Sequence, residues 1–181
     1  MNEFMKQLER WHEEDEYQKI VDAIEALPQE ELTFPLVSGL ARAYNNLAMD
    51  LQWPEDQKLY RRALDLLLSV EGGLEEAVRE DPDAAHTWNF RVAYAYYYTD
   101  QEGKALPHFE KALEARPGDE DTLEFIDRCR NSLALPVGVR PFRERTREGW
   151  ASFLQGEGEL RAMLDREDRE AVGRELVERC A

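Results

Sequence analysis

The feature that most restricts how this chain can fold is the interval between its apolar residues. They recur every three or four positions and almost nowhere at every second one, which is the spacing of one helical face and not of a pleated strand. A first helix is expected over about 2–11, with Phe4, Leu8 and Trp11 on one side. A second carries Tyr17, Ile20, Val21, Ile24 and Leu27 and stops at Pro28. A third, over about 34–51, has a stripe of Val37, Leu40, Ala41, Tyr44 and Leu47, and a fourth, over about 55–70, has Leu59, Ala63, Leu66, Leu67 and Val70. Gly72 and Gly73 follow, where glycine commonly closes a helix, and a short helix over 74–80 precedes Asp81 and Pro82. The fold class that follows is all-α.

The stretch TWNFRVAYAYYYTDQEGKALPHFEKALEARP, residues 87–117, is the most patterned part of the chain. Small residues at Ala93 and Ala112 let two helices approach closely, and Tyr96 and Phe109 have the size to fill the space between them. With Val92, Ala105 and Pro117, these positions resemble the tetratricopeptide repeat, a 34-residue helix–turn–helix unit. Trp88 departs from that pattern by one residue, and Pro107 falls inside the second helix, which should then start late or bend. Weaker copies run over 8–28 and 36–70, the latter with about ten extra residues around MDLQWPEDQK that should lengthen its helices or form a projecting loop. The resemblance implies antiparallel helix pairs stacked as a right-handed superhelix over 1–135, divided at about 1–30, 34–72 and 86–117. A capping helix over 119–135 would bury Leu123, Ile126 and Leu133. Bacterial repeat proteins that continue into a further domain are similar to the chain beyond this point.

In that family the face of each first helix opposite the core lines a concave groove that receives peptides. Mapped onto this chain, the groove takes Arg42, Asn45 and Asn46, beside Ser38, from the third helix. The aromatic helix contributes Phe90, Tyr94, Tyr97 and Tyr98, which recur at intervals of four, three and one. Arg128 and Asn131, beside Glu124, come from the capping helix. Tyrosine and arginine anchor partners with little loss of side-chain freedom. The competing expectation is that the tyrosines pack inside the protein, against C-terminal helices carrying Trp150 and Phe153. The subclass of these repeats that clamps a peptide carboxylate uses lysines, and no lysine lies in the mapped groove.

Charge narrows the partners. The net charge is −16, from 23 Lys and Arg against 39 Asp and Glu, which opposes nucleic-acid binding. Residues 1–83 hold 8 basic and 20 acidic residues, a net of −12, so a basic protein neutralised by this half is an alternative partner. No stretch reaches the roughly 20 apolar residues of a membrane span, and residues 1–17 lack the pattern of a signal peptide. Cys129 and Cys180 lie far apart, as reduced thiols of a cytoplasmic protein would. His12, His86 and His108 are scattered and read as exposed or turn residues. No phosphate loop, nucleophile elbow or metal-ligand spacing is present in the sequence, so neither an enzyme nor a cofactor is expected. After a linker at Pro136, Gly138 and Pro141, helices are expected over 142–164 and 171–180. Their apolar stripe would dock on the last repeat or on a second copy of the chain. The ending VERCA raises a third role, that of a regulatory N-terminal part of a longer protein.

Overall fold

The computed structural model describes residues 3–52 and 54–134, and the regular elements there are all helical. They are α1 (Glu3–Glu13), α2 (Tyr17–Glu25), α3 (Phe34–Met49), α4 (Glu55–Ser69), α5 (Leu74–Glu80), α6 (Ala84–Tyr98), α7 (Glu102–Ala115) and α8 (Glu120–Ala134). Short 3-10 turns at Gln29–Glu31 and Glu71–Gly73 join α2 to α3 and α4 to α5. Each predicted helix of this region is present, and the ends of α1, α3, α4, α5 and α8 lie within two residues of those expected; α2 ends at Glu25, before Leu27. The chain divides into two compact units, Met1–Cys129 and Arg130–Ala181. The helices expected over 142–180, and with them Trp150, Phe153 and Cys180, lie outside the described residues.

Neighbouring helices pack as the apolar stripes require: α1 on α2, α2 on α3, α3 on α4, α4 on α6 and α6 on α7. Two hydrophobic clusters result. The larger joins Leu8, Ile20, Ile24, Leu40, Ala41, Leu67, Trp88 and Val92. The smaller gathers Ala93, Ala105, Phe109, Ile126 and Cys129. Tyr96 packs against both. The alanines do what the sequence suggests: Ala41, Ala63, Ala93, Ala105 and Ala112 are all fully buried, where a larger side chain would force helices apart.

Two of the connections are built alike. After α1, the amide of Glu16 donates to the carbonyl of Trp11 (2.8 Å), and that of Asp15 to His12 (3.4 Å). After α6, Gln101 donates to Tyr96 (2.9 Å) and Asp100 to Tyr97 (3.2 Å). Asp15 and Asp100 both adopt positive φ, 56° and 62°. This is the Schellman closure, with aspartate in the left-handed position usually held by glycine. The α3–α4 connection differs. Beside it, Met49 at the end of α3 is 61% and Leu51 43% exposed.

Several expectations change. Trp88, out of register with the repeat pattern, is a core residue, 2% exposed, and its indole N–H donates to the carbonyl of Leu67 at 3.1 Å. The helix α7 does not start late: it begins at Glu102 and runs through Pro107, which is exposed and cannot donate to the carbonyl of Gly103. Leu123 is exposed, and on α8 its expected place in the core is taken by Thr122 and Cys129, both fully buried. The histidines are not surface residues: His86 is buried with Nδ1 3.1 Å from the carbonyl of Ala112, and Nδ1 of His108 lies 3.0 Å from Oδ1 of Asn89.

Candidate functional site

The third and sixth helices bring together residues some fifty positions apart. Arg42, Asn45 and Asn46 of α3 and Phe90, Arg91 and Tyr94 of α6 line one cavity of about 220 Å³. Five of these six were expected in a groove. Arg91 was not, because the groove was mapped from one helical face. The missed signal lies in its spacing: Arg91 stands three residues after Trp88 and four before Ala95, both buried, so a cation occupies a position with core periodicity.

The polar groups of the cavity are poorly compensated. Nη1 of Arg91 donates to the carbonyl of Ser38 (2.9 Å) and to its hydroxyl (2.6 Å). These bonds tie α6 to α3, but no carboxylate among the described residues pairs with the guanidinium. Burial, and then the nearby Arg42, lower its pKa to about 9. Arg42 has no hydrogen-bond or ion-pair partner among the described residues, and although its side chain reaches solvent, the protein crowds it enough to lower its pKa too. Asn45 is 4% exposed; its Nδ2 donates to the carbonyl of Arg91 at 3.4 Å, and its Oδ1 is buried with no partner. His12 of α1 feels both arginines. Its ring nitrogens are buried without partners of hydrogen-bond geometry, and burial, then Arg42 and Arg91, depress its pKa to about 4. The cavity therefore brings together two arginines without ion-pair partners among the described residues and an orphaned amide oxygen, with an imidazole held neutral within reach of their charge.

The aromatic side is a packed stack. Tyr60 of α4 lies parallel to Tyr98 with ring centroids 4.9 Å apart, and Tyr94 meets Tyr98 at 4.6 Å. Phe125 of α8 sits edge-on to Phe90, Tyr94 and Tyr97 at 5.9, 5.4 and 5.2 Å and parallel to Phe109 at 5.0 Å. Edge-on and offset arrangements of this kind suit the quadrupoles of the rings. Burial raises the phenol pKa values of Tyr60 and Tyr94, so both hydroxyls stay protonated. Phe90, Tyr94, Tyr97 and Tyr98 are half-buried, so only part of each ring is left for a partner. Arg128 is engaged locally, paired with Glu124 at 2.6 Å and placed over the ring of Phe125 at 5.3 Å. Asn131 is exposed and belongs to the second compact unit. Of the expected groove residues, the cavity thus unites Arg42, Asn45, Asn46, Phe90 and Tyr94, with Tyr97 and Tyr98 at its aromatic margin.

Among the described residues no group of three His, Cys, Asp or Glu side chains could hold a metal ion, and no helix is long and apolar enough to cross a membrane. The buried thiol of Cys129 is pushed up to about 12 by its burial, which keeps it a protonated core residue. Comparisons with protein-family models, with curated proteins and with solved structures gave no significant match.

Proposed function

We propose that this protein is a non-enzymatic binding module whose helix pairs stack in the manner of tetratricopeptide repeats, and that the groove between α3 and α6 receives a peptide segment of a partner protein. The observation that carries the reading is the cavity lined by Arg42, Asn45, Asn46, Phe90, Arg91 and Tyr94, because it presents polar groups with unspent hydrogen-bonding capacity beside half-buried rings. Buried polar groups without partners cost free energy, and a ligand that satisfies them recovers it. The like-built closures after α1 and α6 support the repeat reading, since one turn type recurs at the tip of two helix pairs. Asn45 and Asn46 suit a peptide backbone, and Phe90 and Tyr94 suit an apolar side chain.

Peptide selection by display on the full chain tests this, followed by titration of enriched peptides against Arg42→Ala and Asn46→Ala. Arg42 is exposed and Asn46 half-buried, and neither makes a hydrogen bond or ion pair among the described residues. Enriched peptides should lose about tenfold or more in affinity for Arg42→Ala, as expected for a charged contact of about 1.5 kcal/mol or more. A selection that enriches nothing, or peptides that bind both variants as well as the parent chain, overturns the reading.

A further inference from the structure

A chain with 39 acidic residues has ample means to neutralise two arginines, yet Arg42 and Arg91 line one cavity whose lining holds no carboxylate, and neither makes an ion pair among the described residues; Asp83 acts on Arg91 only at longer range, and Glu80 and Asp81 share a second cavity with it. The arrangement is costly for the empty protein. Two like charges repel, and a guanidinium removed from water without a counter-ion loses its hydration. Arg91 is nevertheless held in place from behind, by the carbonyl and hydroxyl of Ser38, so part of its donor fork stays free. Beside it, the almost fully buried Asn45 has an amide oxygen with no partner, and Asn46 adds a second amide, without a hydrogen bond among the described residues. We propose that the pocket of Arg42, Arg91, Asn45 and Asn46 is a receptor for a phosphomonoester dianion, presented by a phosphorylated serine or threonine of the bound segment.

The charge count selects the ligand. A carboxylate brings one negative charge and would leave one arginine uncompensated. A phosphomonoester brings a charge of about −1.5 to −2 at neutral pH and three strong acceptor oxygens, and the planar guanidinium fork matches such oxygens with paired hydrogen bonds. Asn46 supplies further donors, while Nδ2 of Asn45 stays on the carbonyl of Arg91. The space of about 220 Å³ admits a phosphoryl group together with the first atoms of the side chain bearing it. Neutral His12 adds no competing positive charge, and the acidic exterior keeps indiscriminate polyanions away. That the carrier is a peptide rests on the groove reading above. The phosphoryl pocket itself stands on the two arginines.

The test is calorimetric titration of the full chain at pH 7.5 and constant ionic strength with four probes: inorganic phosphate, acetate, N-acetyl-phosphoserine amide and N-acetyl-serine amide. Phosphate and the phosphoserine compound should bind at least tenfold more tightly than acetate, and the unphosphorylated compound should not bind. Arg42→Gln should weaken phosphate binding tenfold or more with an unchanged circular dichroism spectrum. Should Arg91→Gln fail to fold, Arg42→Gln and Asn46→Ala still decide the matter, because neither side chain is tied into the core. Acetate binding as tightly as phosphate, or Arg42→Gln binding phosphate like the parent, overturns the pocket. Phosphate binding without binding of the phosphoserine compound overturns the peptide-borne source. If display-selected peptides without phosphate bind through Arg42 while phosphate does not bind, the groove stands and this inference falls.

Discussion

At the scale of single residues, His12 has the plainest consequence. Its imidazole titrates near 6.5 in an unfolded chain and at about 4 in the folded protein. Between those values the unfolded chain holds a proton that the folded one does not, so the stability tied to His12 is complete above pH 6.5 and drains away as the pH falls towards 4. Because the ring is only partly covered, the loss is on the order of 1–2 kcal/mol, short of the full value of the shift. Urea midpoints at pH 7 and pH 5 should differ accordingly, and His12→Leu should remove most of that difference. The remainder belongs to His108, whose pKa is also lowered, by burial first and Lys111 second. Below pH 4 a separate decline begins as Glu25, held low by the Tyr44 hydroxyl, and Asp83, held low by Arg116, take up protons. If the midpoint of His12→Leu falls between pH 7 and 5 as steeply as that of the parent, the buried imidazole is not the source.

At the scale of elements, α7 shows what a helix tolerates. Pro107 sits on its exposed side and deprives the Gly103 carbonyl of its partner. Phe109 and Ala112, both fully buried, hold the helix together regardless. Pro107→Ala should restore the bond and stabilise the protein by roughly 1–3 kcal/mol, seen as a higher melting temperature; a lower one would mean that the proline's fixed φ shapes the packing of α7. The helices themselves were legible because their apolar stripes run for three or four turns, long enough for the period to show. What escaped were single polar residues at core spacing. Arg91 follows Trp88 by three, and His12 follows Leu8 by four; His12 was read by its type and not by its position, and Arg91 was passed over. The cavity was half legible: five of its six lining residues fall on the faces of α3 and α6 mapped from the sequence, but the contact of Phe125 with Phe90, Tyr94, Tyr97 and Tyr98 depends on how α8 lands, and no interval within one helix records that. Leu123 misled for a related reason, since the face of a last helix is set by the neighbour it meets.

At the scale of the whole described array, the two hydrophobic clusters meet at a single aromatic ring. Tyr96 packs on the cluster of α1–α4 and α6 and also on that of α6–α8, with its carbonyl closing the α6–α7 turn and its ring 5.9 Å from that of His108. The consequence concerns cooperativity. Stacked helix pairs unfold together only as far as the interfaces between neighbours are strong relative to each pair alone, and here one side chain serves both sides of such an interface. Native-state hydrogen exchange should find the amides of α3 and α7 opening with similar free energies in the parent protein. In Tyr96→Ala the amides of α7 should exchange through a separate, lower-energy opening while those of α3 keep most of their protection. An equal fall in both would place the coupling in the backbone of α6. Where the link holds, a ligand bound as proposed between α3 and α6 should also slow the fraying of α7, a helix that does not line the cavity.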